Sequence, residues 1–429
     1  MKPNILYINS HDTGRYVQPY GHAVPTPAIQ ALAEEGVLFR QAFCAGPTCS
    51  ASRAALLTGC YPHQNGMLGL AHRGFELNDY RQHLQHTLQQ AGYFTAQAGV
   101  QHVIAGDRVA ELGYDAVLGD NKTAHTAAAE FLGNAPRQPF YLEVGFPETH
   151  REFPQRDADI RAEYCLPPPI LPDTPETRRD FARFKTSARR LDTKIKTVLD
   201  ALDRNGLRDN TLVICTTDHG IAFPRMKCNL TDHGIGVMLI LRGPGVPCAG
   251  KAIDAIVSQI DIFPTICELL GVQAPEWVEG VSLLPVLNGE KQEVREEVFA
   301  EVTYHAAYEP MRCVRTKRHK YIRRFDDRGT TVMPNCDEGE SRNLWLEHGW
   351  NERPVDQEQL YDLLFDPMER HNLVGDKRSE PILQEMRERL RGFMVRTADP
   401  LLRGPVPAPA GARLNSPDDM SPNDPVFVV

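Results

Sequence analysis

The sequence predicts an α/β fold: a large, mostly parallel central sheet flanked by helices, then a smaller antiparallel sheet with one helix on it. Three observations carry this. Over roughly the first 290 residues, short apolar runs alternate with segments of helical periodicity. Most of those runs end in polar, ligand-type residues, as strands do at the binding edge of a parallel sheet. Beyond that point the apolar runs become closely spaced and turn-separated, and one amphipathic segment follows. Residues 1–290 are therefore expected to form the larger domain and 291–398 the smaller one. Residues 399–429, rich in Pro, Gly and Asp, are expected to form an extended tail.

In chain order, residues 4–9 (NILYIN) read as a buried parallel strand, with Ser10-His11-Asp12-Thr13-Gly14 at its carboxyl end. Thr26-Pro27 reads as N-cap and first helical residue, with Gly36 as the stop. Residues 37–39 lead toward a helix that opens at Cys49, and a polar loop follows at 61–67. Residues 83–91 read as a helix and Phe94–Gly99 as a strand running into Val100-Gln101-His102. Residues 124–132 read as a helix and 140–146 as a strand, followed by Pro147-Glu148-Thr149-His150. Proline and charge mark 151–175 as a long loop or lid, and a long helix is expected over 176–204. Thr211–Thr217 is a strand with Asp218-His219-Gly220 at its end. Residues 237–241 are one more strand and 258–270 a helix. In the second part, residues 298–304, 311–315, 321–325 and 359–363 are β-like, and 379–396 is an amphipathic helix.

A chain of 429 residues can bury a large core. Its formal net charge is −9 and no basic run is long, which excludes nucleic acid as the expected partner. No apolar stretch approaches membrane-spanning length, so no membrane partner is expected either. The ten cysteines show no paired spacing, and the first residues pass straight into a strand without a signal-peptide pattern. Reduced thiols and a cytoplasmic location are the expectation; self-association is left open.

Strand ends of a parallel sheet share one edge, so His11, Asp12, His102, His150, Asp218 and His219 are expected near the start of the Cys49 helix. There the unpaired backbone N–H groups favour anions, and Arg53, one turn on, offers a fork that fits a tetrahedral oxyanion. Asp12 alone reads more readily as a helix cap. Two acidic strand ends beside an oxidisable cysteine favour a divalent metal, which would neutralise a bound sulfate or phosphate ester and acidify a nucleophile.

The stretch Cys49-Ser50-Ala51-Ser52-Arg53-Ala54-Ala55-Leu56-Leu57-Thr58-Gly59 resembles the sulfatase signature, with alanine at 51 where that family carries proline. The resemblance implies an alkaline phosphatase-like fold. It also implies that a formylglycine-generating enzyme converts Cys49 to Cα-formylglycine, whose hydrate is the nucleophile. His11-Asp12 stands where the family has Asp-Asp, and Asp218-His219 where it has Asp-Asn. The implied metal site is therefore His11, Asp12, the residue-49 side chain, Asp218 and His219, with His11 either touching the ion or facing substrate. Calcium is the family's usual ion; the imidazoles also suit manganese or another transition metal. Gly99-Val100-Gln101-His102 resembles Gly-Lys-x-His with the lysine lost to Val100, while His150 and Lys227 resemble a second active-site histidine and a sulfate-binding lysine. Cys49, Arg53, His102, His150 and Lys227 are the catalytic set so implied.

Residues 49–70, Glu301-Val302-Thr303, Pro310-Met311-Arg312, Leu360-Tyr361-Asp362 and Asn372-Leu373 look most like the heparan N-sulfatase branch. That implies hydrolysis of sulfate esters or sulfamates of a saccharide. Two other readings stand beside it. Asp218-His219 is also seen in the related phosphonate monoester hydrolases, so a phosphonate monoester hydrolase or phosphodiesterase is an alternative. Ala51 and Val100 motivate a third, a non-catalytic protein that binds sulfated sugars.

Overall fold

The computed structural model describes residues 2–134, 136–247 and 250–429. Strands β1 (Asn4–Ser10), β2 (Val37–Phe43), β3 (Phe94–Gly99), β4 (Ala116–Leu118), β5 (Phe140–Gly145), β6 (Thr211–Thr217), β7 (Leu239–Arg242) and β8 (Lys251–Ser258) form an eight-stranded sheet. Its order is β4-β3-β5-β1-β6-β7-β2-β8. All neighbours pair in parallel except β7, which is antiparallel to β6 and to β2. The strand expected at 237–241 therefore reverses direction, and its carboxyl end leaves the ligand edge. The sequence reading passed over β4 and β8. β4 has only three residues, and β8 opens on a solvent-exposed, charge-bearing half.

β1 is fully buried, so successive side chains serve two cores. Ile5 and Tyr7 face one cluster with Tyr141, Leu212 and Ile214. Leu6 and Ile8 face another with Leu142, Val144 and Val213, covered by the helices Ala124–Gly133 and Pro175–Arg204. The long helix starts at a capping box on Thr174 and presents Leu191, Ile195, Val198 and Leu202 to that core.

Strands β9 (Glu297–Tyr304), β10 (Tyr308–Thr316), β11 (His319–Arg324) and β12 (Glu358–Asp362) form a separate antiparallel sheet, ordered β12-β11-β10-β9. The helix Glu380–Arg396 packs on it through Leu383, Met386, Leu390 and Phe393, the last stacked on Phe299 with ring centroids 4.0 Å apart. Residues 399–429 do not run as a free extended segment. They include a short 3-10 helix and a two-stranded sheet, and Ala412, Leu414 and Asn415 are buried. Separate residues, not a repeating face, anchor this segment. Among the described residues, no helix is long and apolar enough to cross a membrane.

The order β3-β5-β1-β6 decides where chemistry can occur. It sets the carboxyl ends of four neighbouring strands side by side. β3 and β5 lie tightly at that edge: a Cβ built on Gly145 would sit 1.7 Å from the Val100 carbonyl oxygen, while the Val100 N–H donates to the Gly145 carbonyl at 3.0 Å. Only glycine permits this approach. The variant Gly145→Ala is expected to lose about 1–3 kcal/mol by overpacking, read from the urea midpoint at unchanged m-value.

Candidate active site

Thr48 enters helix α2 (Cys49–Thr58), the helix that follows α1 (Pro27–Glu35), in extended conformation, so Cys49 is the first helical residue; Gly59, at φ 71°, ends the helix. Every residue of α2 is buried. Its opening turn meets the ends of β1 and β6. Cys49 Sγ lies 3.4 Å from His219 Nε2 and 4.0 Å from Asp12 Oδ1. Potential ligand atoms of His11, Asp12, Cys49, Asp218 and His219 all lie within 4.8 Å of one another. The five residues expected as metal ligands thus converge.

Each is held by a stated contact. Asp12 sits in the left-handed region at φ 54°, and its backbone N–H donates to Asp218 Oδ1 at 2.8 Å. Asp218 Oδ1 also accepts from the His219 N–H at 2.9 Å. Its other oxygen accepts from Arg53 Nε and Nη2, at 3.3 and 3.1 Å, and Arg53 Nη2 reaches the Ser10 carbonyl at 3.0 Å. The Arg53 fork is therefore turned toward Asp218 and β1, and only Nη1 lacks a protein partner. His219 Nδ1 lies 3.0 Å from the Gly220 carbonyl, which can only accept. That puts the proton on Nδ1 and leaves the Nε2 lone pair facing Cys49 and Asp12.

His11 supplies the test of whether these residues fit a metal. Its Nε2 is buried with no hydrogen-bond partner, 3.4 Å from Asp218 Oδ2 and 3.5 Å from Asp12 Oδ1. Burial, then its histidine neighbours, push the His11 imidazolium well below the usual histidine range, so the ring is neutral and its lone pair available. Two buried carboxylates, two imidazole nitrogens and the side chain of residue 49 make a donor set that fits one divalent cation.

A rim of further groups surrounds the cluster. Lys227 Nζ lies 2.9 Å from Asp12 Oδ2, 3.0 Å from Asp337 Oδ2 and 3.3 Å from His150 Nε2. Burial alone would lower its pKa, but the two carboxylates outweigh burial and hold it charged. The reverse holds at Asp337, where burial raises the carboxyl and the Lys227 ammonium outweighs it. A lysine can only donate to the facing histidine, so His150 Nε2 accepts there, and His150 Nδ1 contacts the Arg151 carbonyl. The His102 and His150 rings stand 4.9 and 4.5 Å from the His11 ring. His102 is pushed down to about 3, by burial first and by Arg53 next. Burial also pushes the Cys49 thiol well above its ordinary value, so an unmodified sulfur there is a neutral, weak nucleophile. His11, Ser50, His72, His102 and His150 line a cleft of about 1090 Å³.

All ten expected positions, counted once each as nine residues with Cys49 serving in both sets, lie in this one region. Sequence reasoning missed Asp337, which reaches Lys227 from the second domain, and Thr149, whose hydroxyl donates to the Asp12 carbonyl at 2.8 Å. No spacing signal marks Asp337; Thr149, directly before His150, was within reach. The nine cysteines among the described residues form no disulfide with one another.

The family model described as Sulfatase matches residues 3–272, and that described as N-sulphoglucosamine sulphohydrolase, C-terminal, matches residues 225–352. The chain is 30% identical to an ulvan-active sulfatase of Formosa agariphila over 96% of its own length and 84% of that protein's. It is likewise 30% identical to the N-sulphoglucosamine sulphohydrolase of Homo sapiens, over 94% of its own length and 92% of the relative's. The solved phosphonate monoester hydrolase of Agrobacterium radiobacter superposes with a TM-score of 0.68 at 22% identity, covering 94% and 97% of the two chains. That likeness speaks for the shared alkaline phosphatase-like fold. The chain belongs to the sulfatase family of hydrolases.

Proposed function

We propose that this enzyme hydrolyses the sulfate ester or sulfamate of a saccharide, of the N-sulfoglucosamine type, with Cys49 converted to Cα-formylglycine and one divalent metal bound. One observation supports this most: the side chain of residue 49 lies at the N-terminus of α2 within the same 4.8 Å donor cluster as Asp12, Asp218 and His219. The names and extent of similarity of the two relatives support the saccharide and the sulfate.

Asp12, Asp218, His219 and His11 would hold the metal together with residue 49. When bound, the metal would neutralise sulfuryl charge and acidify the residue-49 hydroxyl. The hydrated formylglycine, made by a formylglycine-generating enzyme, would provide an oxygen nucleophile and a second hydroxyl through which sulfate can leave. Two imidazoles in the donor set favour manganese, iron or zinc over calcium. Lys227, charged and set between Asp12 and the cleft residue His150, stabilises negative charge on the sulfuryl oxygens, assisted by Arg53 Nη1. His150, once protonated at the Nε2 that faces Lys227, would pass that proton to the departing nitrogen or oxygen. His102 stands beside His11 with no partner at Nδ1, which places a free ring nitrogen to accept the proton that frees sulfate.

His219 in the donor set also suits a phosphonate monoester hydrolase or phosphodiesterase on this fold, and substrate preference separates the two. Aryl sulfate, phosphate diester and phosphonate monoester are assayed side by side with calcium and with manganese. Sulfate turnover is expected to lead; a large excess of diester or phosphonate turnover refutes the sulfatase reading of the site.

Mass spectrometry of the peptide spanning residue 49, from active protein, is expected to show the aldehyde, and Cys49→Ala to have no turnover. An intact thiol in fully active protein contradicts the proposal. The variant His150→Ala is expected to lose about 10²–10⁴-fold in kcat on a sugar sulfate or sulfamate. The loss should be much smaller on an aryl sulfate, whose leaving group needs no proton. Chelation should abolish turnover, and metal analysis of the untreated enzyme should find about one ion per chain with a transition metal dominant.

A further inference from the structure

A second cavity, of about 610 Å³, shares no lining residue with the cleft at His11 and His150. One side of it is the antiparallel sheet, through Met311 on β10, Ile322 on β11 and Tyr361 on β12. The opposite side includes Arg225, two residues before Lys227.

Two features of the wall point to a ligand. Trp345 and Trp350, two of the three tryptophans in the chain, meet there edge to face, with ring centroids 5.0 Å apart. Four guanidiniums line the same space; that of Arg324 is paired with Glu309 and Asp326, which leaves those of Arg225, Arg353 and Arg370. Arg225 donates to the Glu369 carbonyl at 3.1 Å, and Arg370 to the Pro169 carbonyl. Among the described residues none of the three pairs with a carboxylate. The wall's own carboxylates are engaged by other lining residues: Glu309 by Arg324 at 2.9 Å, and Asp356 by the Asn372 amide at 2.9 Å. An acidic chain thus concentrates unpaired positive charge beside an aromatic corner, in a volume of the size that takes one or two sugar rings.

We infer that this cavity is a non-catalytic subsite for an anionic saccharide unit, a sugar bearing a carboxylate or a sulfate. Guanidinium forks match both anions in bidentate geometry. The tryptophan corner gives the apolar face of a sugar ring a surface to lie on. The preference for an anion rests on the wall itself; the choice of a saccharide rests on the function proposed above.

The tryptophans make the test direct. The full chain carrying Cys49→Ala, which prevents turnover, is titrated with a sulfated glucosamine–uronate disaccharide while tryptophan emission is followed. A saturable change is expected, with inorganic sulfate and the uncharged disaccharide far weaker. Arg353→Glu changes an exposed side chain and should weaken the midpoint about tenfold or more while the melting temperature holds. Absence of a saturable change, an equal or stronger response to adenosine monophosphate, or an unchanged midpoint in Arg353→Glu overturns the inference. Sulfate release by the parent chain from the same disaccharide is recorded in parallel. Release without the emission change overturns this inference alone; the emission change without release overturns the proposed function alone.

Discussion

The site depends on one buried ion pair, between Arg53 and Asp218. Both side chains are at most 1% exposed, so neither charge has water to fall back on. The pair ties the second turn of α2 to the end of β6, and through the Ser10 carbonyl to β1. Asp218 Oδ1 then fixes the backbone of Asp12 and His219. Remove the guanidinium and a carboxylate is left buried without its counter-charge, which typically costs about 3–5 kcal/mol. Arginine suits the place because its planar fork can serve a carboxylate and a carbonyl at once.

Around that pair the charges are arranged for an ion and an anion. Asp12 and Asp218 bring two negative charges into a space with no water exposure. Arg53 answers one and Lys227 the other, but Lys227 is shared with Asp337. The cluster therefore has room, electrostatically, for a divalent cation. The imidazoles differ from the acids in kind: burial keeps His11 and His102 neutral, so they add lone pairs without adding charge.

Much of this was legible beforehand, and the reason is local. β3 and β6 coincide with the expected segments because buried parallel strands are short apolar runs with polar ends. The Cys49 helix shows its start and its Gly59 stop in consecutive residues. What escaped had no local signal. β7 has the composition of any inner strand, and only its pairing reveals that it runs backwards. The last thirty residues show no period, and a short buried stretch at Ala412, Leu414 and Asn415 anchors them. Asp337 lies far in sequence from Lys227, in a segment with no strand or helix pattern of its own.

The sequence by itself determined which side chains could do chemistry and which strand each one ends, because residue type and hydrophobic periodicity are properties of short segments. Tertiary structure alone decided that β3, β5, β1 and β6 stand next to one another, that the Arg53 fork turns toward Asp218, and that Asp337 crosses from the second domain to meet Lys227. Those are contacts between segments as much as two hundred residues apart. Burial then sets their strength, since the same groups in water would be screened and separately solvated.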